Sequence, residues 1–127
     1  QLPLTFVQKK ATMILSQQSF NDYLYEADLA IAMAGTATEQ FVGLGKPAIA
    51  ISGSGPQFTP AFAEAQSRLL GPSLILVKHP AEVADAVQFL FRDPDRLQLI
   101  ADNGLRRMGE PGASARIAEY LLDRLVI

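Results

Sequence analysis

The stretch from Ala30 to Pro47, Ala-Ile-Ala-Met-Ala-Gly-Thr-Ala-Thr-Glu-Gln-Phe-Val-Gly-Leu-Gly-Lys-Pro, restricts the fold more than any other part of the chain. An apolar, strand-like run stops at Gly35, small hydroxyl residues follow, and a short helical pattern begins with an acid in its first turn. Strand, glycine turn and helix N-terminus in that order are a common way for an α/β protein to hold an anion or a nucleotide. Residues 35–40 are therefore the first candidates for a ligand-facing segment.

The rest of the chain repeats that rhythm. Residues 1–10, with Pro3 and the Lys9-Lys10 pair, fit either a leading strand or a linker. Residues 11–16, short, apolar and partly β-branched, predict a buried strand. A helix is expected over 19–27, with Ser19 as N-cap, Asp22 at N3, and Phe20, Tyr23, Leu24 and Ala27 on one face. Residues 28–33 predict a second buried strand, and 36–44 a helix with Ala37, Phe41 and Leu44 inward, ended by Gly45 and Pro47.

A third strand is expected over 47–52, then a loop carrying Gly53, Gly55 and Pro56. Thr59-Pro60 is an N-cap and N1 pair opening a helix to Leu70, which Gly71-Pro72 closes. Residues 73–78 predict a fourth strand. Pro80 starts a helix with Val83, Val87, Leu90 and Phe91 on one stripe. Asp93-Pro94 breaks it and caps the next, which carries Leu97, Ile100 and Ala101 and is expected to end at Asn103-Gly104. After a turn-rich link over 106–112, a final helix from about Ala113 is expected to bury Ile117, Leu121 and Leu125.

Strands that are continuous apolar runs, alternating with helices, mark a parallel sheet covered on both faces. The fold class read from the sequence is α/β, a Rossmann-like doubly wound parallel sheet of at least four strands. Four is few for such a sheet, and a parallel sheet without its first strands leaves an unpaired edge. With Gln1 opening the chain, residues further upstream are expected to complete the domain. Alternatively residues 1–10 supply a fifth strand, or a second copy pairs at the edge as a homodimer.

Composition removes several classes of function. At 127 residues the chain is one domain by length. A net charge of −2 shows no basic surplus of the kind nucleic-acid binding calls for, so no nucleic-acid partner is expected. With no cysteine, disulfides and thiolate metal sites are excluded, which fits a reducing, cytoplasmic setting. No apolar run approaches the roughly 20 residues of a membrane helix.

Several formal motifs fail on inspection. Gly45-Lys46 looks like the end of a P-loop, but Gln40 stands where its first glycine belongs and Pro47 replaces the hydroxyl residue. Gly53-Ser54-Gly55 lacks the third glycine of a dinucleotide fingerprint, since Phe58 stands there. His79, the sole histidine, precedes Pro80 at a helix start, where a cap or surface role is the reading against a metal or catalytic one.

Residues 35–40 carry two readings. Thr36-Ala37-Thr38-Glu39 fits the capping-box spacing, in which Thr36 and Glu39 satisfy each other's backbone N–H groups. In the ligand reading, Gly35 allows close backbone approach and the N–H groups of Thr36, Ala37 and Thr38 face phosphate oxygens. The acid or amide one turn in then suits ribose hydroxyls. A second glycine loop, Gly53 to Gln57, follows the next strand, and ligands of open α/β sheets bind where such strand C-termini meet.

These residues also carry a resemblance. Gly35-Thr36-Ala37-Thr38, the acid-containing helix, then Lys46-Pro47 and a strand resemble the donor-domain motif of lipid-A-disaccharide synthase, a two-domain GT-B glycosyltransferase using a UDP-sugar. The likeness is closer to the related proteins of cyanobacteria and plants. It runs from Ala32-Met33-Ala34-Gly35-Thr36-Ala37-Thr38-Glu39-Gln40 through Gly55-Pro56-Gln57-Phe58-Thr59 and Ala63-Glu64-Ala65-Gln66-Ser67-Arg68-Leu69-Leu70-Gly71. It continues over Gly109-Glu110-Pro111-Gly112-Ala113-Ser114-Ala115-Arg116-Ile117-Ala118, so that it spans nearly the whole chain.

The resemblance implies the C-terminal half of a GT-B glycosyltransferase, incomplete at its N-terminus, whose N-terminal acceptor domain carries the catalytic base. No catalytic residue and no metal or cofactor is then expected in this chain, and the UDP-sugar is substrate. Gly35 to Thr38 would supply N–H groups to the pyrophosphate, and Gln57 with Phe58 would approach the sugar or phosphates. The slot that holds a ribose-binding Glu in lipid-A-disaccharide synthase holds Gln40 here, with Glu39 one residue earlier. Adjacent helix positions point about 100° apart, so Glu39 as capping partner and Gln40 as ribose contact is the expected division. The intact protein would transfer a hexosyl unit to a lipid-linked or other acceptor, in the cytoplasm or peripheral to the inner membrane. The alternatives are a non-catalytic nucleotide-sugar-binding or regulatory module, and a UDP-sugar epimerase-like domain.

Overall fold

The computed structural model describes residues 2–125. In chain order these form strands β1 (Leu4–Gln8) and β2 (Ala11–Leu15), helix α1 (Phe20–Glu26), β3 (Ala30–Ala32), α2 (Thr36–Gly43), β4 (Ala48–Ile51) and α3 (Pro60–Leu70). There follow β5 (Leu74–Val77), α4 (Val83–Phe91), α5 (Pro94–Met108) and α6 (Ala113–Leu125), with short 3-10 turns ahead of β5 and α4. The chain is thus α/β, with a parallel sheet of three strands in the order β3-β4-β5.

The sheet is built from short, small, apolar strands. Register runs Ala30 to Ala48 and Ala48 to Leu74, so β4 is paired on both sides and β3 lies at an edge. Side chains alternate across a strand, and β4 divides the core accordingly. Ala48 and Ala50 join Leu24, Phe41, Val42, Ala63 and Leu70 from α1, α2 and α3. Ile49 joins Val77, Leu90 and Ile100, with half-buried Val83, Val87 and Leu97 from α4 and α5 around them. The residues of β4 are thus shared between two separate clusters. Fully burying a side chain such as Ile49 contributes about 1.5–3 kcal/mol.

Capping chemistry starts the longer helices where expected. Thr59 Oγ1 accepts the Phe62 N–H at 3.2 Å with Pro60 at N1, and Asp93 Oδ1 accepts the Arg96 N–H at 3.0 Å with Pro94 at N1. Gly71 closes α3 with φ +58°, a conformation that favours glycine.

Five expectations are corrected. Residues 11–15 are a strand, but an exposed one: β2 pairs antiparallel with β1 across the Lys9-Lys10 turn, and every residue of both strands is exposed. A five-residue apolar run reads alike in a hairpin and in a buried parallel strand. The parallel sheet consequently has three strands, not four. Helix α5 continues through Asn103-Gly104 to Met108, because both residues are buried against other elements. Ile117, Leu121 and Leu125 of α6 are exposed, as are Leu44 and Phe91, since no described element covers them. Ser19 occupies the N-cap position of α1, but with φ +64° and no side-chain cap.

Candidate functional site

The amino end of α2 follows β3 directly, and the 52–59 loop follows β4, its paired neighbour. Parallel strands place both loops at the same end of the sheet. There they meet: a Cβ on Gly35 would sit 3.4 Å from Phe62 Cζ, and one on Gly53 would sit 3.0 Å from Met33 Cε. The Phe58 and Phe62 rings pack edge to face with centroids 5.5 Å apart. A Cβ at Gly35 would make an ordinary contact with the Phe62 ring, and one at Gly53 would press on the flexible end of Met33.

Gly35, not Thr36, is the N-cap residue of α2, and Thr36 is the first helical residue. The expected capping box between Thr36 and Glu39 is therefore absent. Gly35 has no side chain, and no side-chain oxygen caps the first turn among the described residues. The backbone N–H groups at the start of a helix lack intrahelical acceptors, and they carry the positive end of the helix dipole. This first turn has the chemistry of an anion site.

The two threonines divide their roles. Thr36 is exposed, whereas Thr38 is 1% exposed and its Oγ1 donates to the Ala34 carbonyl at 2.6 Å. Ala37 is half-buried over the β3 end of the sheet. Glu39 is half-buried and its N–H donates to the Gly35 carbonyl at 3.2 Å. Gln40, one position on, is exposed and lines a cleft of about 400 Å³ with Asn21, Tyr25, Gly43, Glu110 and Gly112. Glu39 borders that cleft too, and it also lines a smaller cavity of about 180 Å³ beside α3.

In the second loop Gln57 is exposed, while Phe58 is 6% exposed and belongs to the core. The Gly53 N–H donates to the Phe58 carbonyl at 2.9 Å, which closes the loop on itself. Phe58 therefore anchors the loop from below, and Gln57 is the side chain presented to solvent. The end of β3 meets the second loop where Met33 approaches Gly53, whereas Gln40 faces a separate cleft beside α1 and residues 108–113.

Lys46 has a structural task. Its Nζ donates to the Leu24 carbonyl at 3.0 Å and to the Tyr25 carbonyl, and it lies 5.6 Å from the centroid of the Phe41 ring. A cation on the last carbonyls of α1 is favourable there, and it turns Lys46 away from phosphate duty. His79 contributes its backbone: Glu82 Oε2 accepts the His79 N–H at 2.8 Å and the Lys78 N–H at 2.7 Å. Those two backbone donors hold the Glu82 carboxyl below the usual glutamate range. Among the described residues no group of three His, Cys, Asp or Glu side chains is placed to hold a metal ion.

One site residue escaped the sequence reading. Gln66 of α3 is 3% exposed, and its Nε2 donates to the Gly35 carbonyl at 3.1 Å across 31 residues of chain. The signal was there to be found. Ala63, Gln66 and Leu70 lie on one stripe of α3 at helical spacing, and a polar residue in the middle of a buried stripe needs a partner. Comparison with the models of known protein families, with curated proteins and with solved structures finds no match for this chain.

Proposed function

We propose that this chain is the nucleotide-sugar-binding domain of a GT-B glycosyltransferase related to lipid-A-disaccharide synthase, in finer terms a doubly wound Rossmann-like domain. The observation that carries the reading is the uncapped amino end of α2 at the end of β3, with the Gly53–Gln57 loop beside it. In this reading the N–H groups of Thr36, Ala37 and Thr38 take the pyrophosphate of a UDP-sugar. Glu39 or Gln40 takes the ribose, and Gln57 lies nearest the sugar. The absence of the capping box leaves the Glu39 carboxylate free of that task, which supports it as the alternative to Gln40 for the ribose contact.

The open surfaces support a larger assembly. The exposed edge of β3 borders an apolar groove of about 430 Å³ lined by Tyr23, Ile31, Met33, Ala37 and Phe41, which further strands of a longer sheet would fill. The β1–β2 hairpin and α6 expose Phe6, Val7, Met13, Ile117 and Leu122, surface of the kind that packs against another domain. An N-terminal acceptor domain bearing the catalytic base would meet that need. No helix among the described residues is long and apolar enough to cross a membrane.

The reading is tested by titrating UDP and UDP-GlcNAc into the protein while following backbone amide shifts. Shifts at Gly35 to Gln40 with saturable binding are the expected result. No change at those amides removes the transferase reading and leaves a non-catalytic module. Inversion of the sugar without any acceptor would instead mark an epimerase.

A further inference from the structure

The parallel sheet ends at β3 on an open edge. Ala30, Ile31 and Ala32 pair with β4 on one side, and among the described residues no strand pairs with them on the other. Backbone groups of successive strand residues point to opposite sides in the plane of a sheet. The Ala30 N–H goes to the Pro47 carbonyl at 3.2 Å, on the β4 side, so the N–H and C=O of Ile31 point outward from the edge. Such an edge recruits another strand unless proline or charge blunts it. From Leu29 to Ala34 the sequence has neither. The Ile31 side chain is 58% exposed, and the groove of about 430 Å³ beside it has Tyr23 and Phe41 in its walls and no charged residue among those described.

A second copy of the chain fits this edge better than a lone peptide does. Three strand residues are too few to hold a free peptide, since even a complete two-stranded hairpin is marginal alone. A second copy arrives with its strand already formed and its own apolar groove alongside. The area is sufficient as well. The chain exposes 9518 Å², against about 6,600 Å² for a compact protein of its size. A standard interface takes about 800 Å² from each partner, which lies well within that excess. The net charge of −2 per chain sets little repulsion against association.

The edge is also its own complement. Ile31 is the middle residue of β3, and two opposed residues of an antiparallel pair can exchange both of their N–H···O=C bonds. A two-fold axis through that pair sets Ile31 against Ile31, and Leu29 of each copy against Met33 of the other, so every opposed pair is apolar. We propose that two copies of this chain associate through their β3 edges, antiparallel about Ile31, so that two sheets of three strands become one continuous sheet and each copy covers the other's groove. This association is independent of what the amino end of α2 binds.

Sedimentation velocity over a wide concentration range tests it, with a melting curve for each variant. The wild type should pass from monomer to dimer as concentration rises. Ile31→Lys and Ile31→Glu each set like charges against one another at the axis, and each should weaken the dimer by about tenfold or more. Mixing the two variants in equal amounts sets opposite charges there and should restore a dimer holding one of each. A wild type that stays monomeric overturns the proposal and leaves the edge to a strand of another chain. A dimer undiminished in both variants overturns it too, and assigns the contact to the β1–β2 hairpin or α6. A mixture that stays monomeric overturns the pairing about Ile31. Should either variant fail to fold, amide hydrogen exchange on the wild type decides. Protection of the Ile31 N–H that rises with concentration supports the pairing, and protection independent of concentration overturns it.

Discussion

Gly104 of α5 lies against the Val42 carbonyl of α2 so closely that a Cβ at Gly104 would overlap the oxygen and stand 3.2 Å from Val42 Cγ1. The contact brings the two helix backbones together at the carboxyl end of α2. It also explains why α5 runs through a glycine that reads as a helix end.

Gly104→Ala should therefore destabilise the protein, although alanine is the better helix former by about 1 kcal/mol. The obstacle is backbone, which cannot rotate aside, so a net loss of about 1–3 kcal/mol is expected, as for an overpacked core. Urea denaturation measures it. Gly55→Ala serves as the control, because a Cβ there meets nothing within 4 Å. Equal midpoints for Gly104→Ala and wild type would show that α2 and α5 are not in this contact.

Lys46→Met should separate the structural reading of this lysine from a phosphate-binding one. Removing the ammonium strips the Leu24 and Tyr25 carbonyls of their donor, at a cost of about 1 kcal/mol. UDP affinity should hold within about twofold, since the loss falls on α1 and not on the first turn of α2. A tenfold drop in UDP affinity with an unaltered melting temperature would reverse that assignment.

Glu39 and Gln40 diverge along α2, and their alanine variants should diverge too. Neither makes a side-chain cap, so both substitutions should change stability by less than about 0.5 kcal/mol. Loss of UDP affinity in one and not the other identifies the ribose contact, and calorimetric titration reads it directly. An equal, small effect of both would remove ribose binding from this helix.

Acidification should act on the start of α4 through Glu82. The folded protein holds this carboxyl below the usual glutamate range through the His79 and Lys78 N–H groups. Between the folded and unfolded values the unfolded chain binds more protons, so stability falls as pH falls through that window and is fully present above it. Carboxyl-carbon NMR titration should give Glu82 a midpoint below that of an unstructured glutamate. Glu82→Gln should abolish this part of the pH dependence.

Local chemistry made much of the molecule legible. Thr59-Pro60 and Asp93-Pro94 start α3 and α5 because a side-chain oxygen and a fixed proline φ act within four residues. The rhythm of apolar runs and glycine turns placed β3, α2 and β4 in order, and with them the two loops of the candidate site. Whatever depends on a neighbour distant in sequence was left to the tertiary structure. Residues 11–15 carry an apolar pattern that suits a hairpin and a sheet interior equally, and only pairing with β1 decides between them. Asn103 looks like a helix end, yet its Nδ2 donates to the Leu70 carbonyl at 2.7 Å and to Ser73 Oγ at 2.8 Å, so burial makes it part of α5. The stretch from Ala30 to Pro47 shows both sides. Its sequence alone determined a strand, a glycine turn and a helix, and left open whether Thr36 and Glu39 cap that helix. The three-dimensional packing decided that Gly35 rather than Thr36 caps that helix, that Thr38 turns inward, and that Gln66 reaches Gly35 from α3. The physical reason is that a cap or a turn is settled by neighbours in the chain, whereas a buried hydrogen bond is settled by whichever element packs against it.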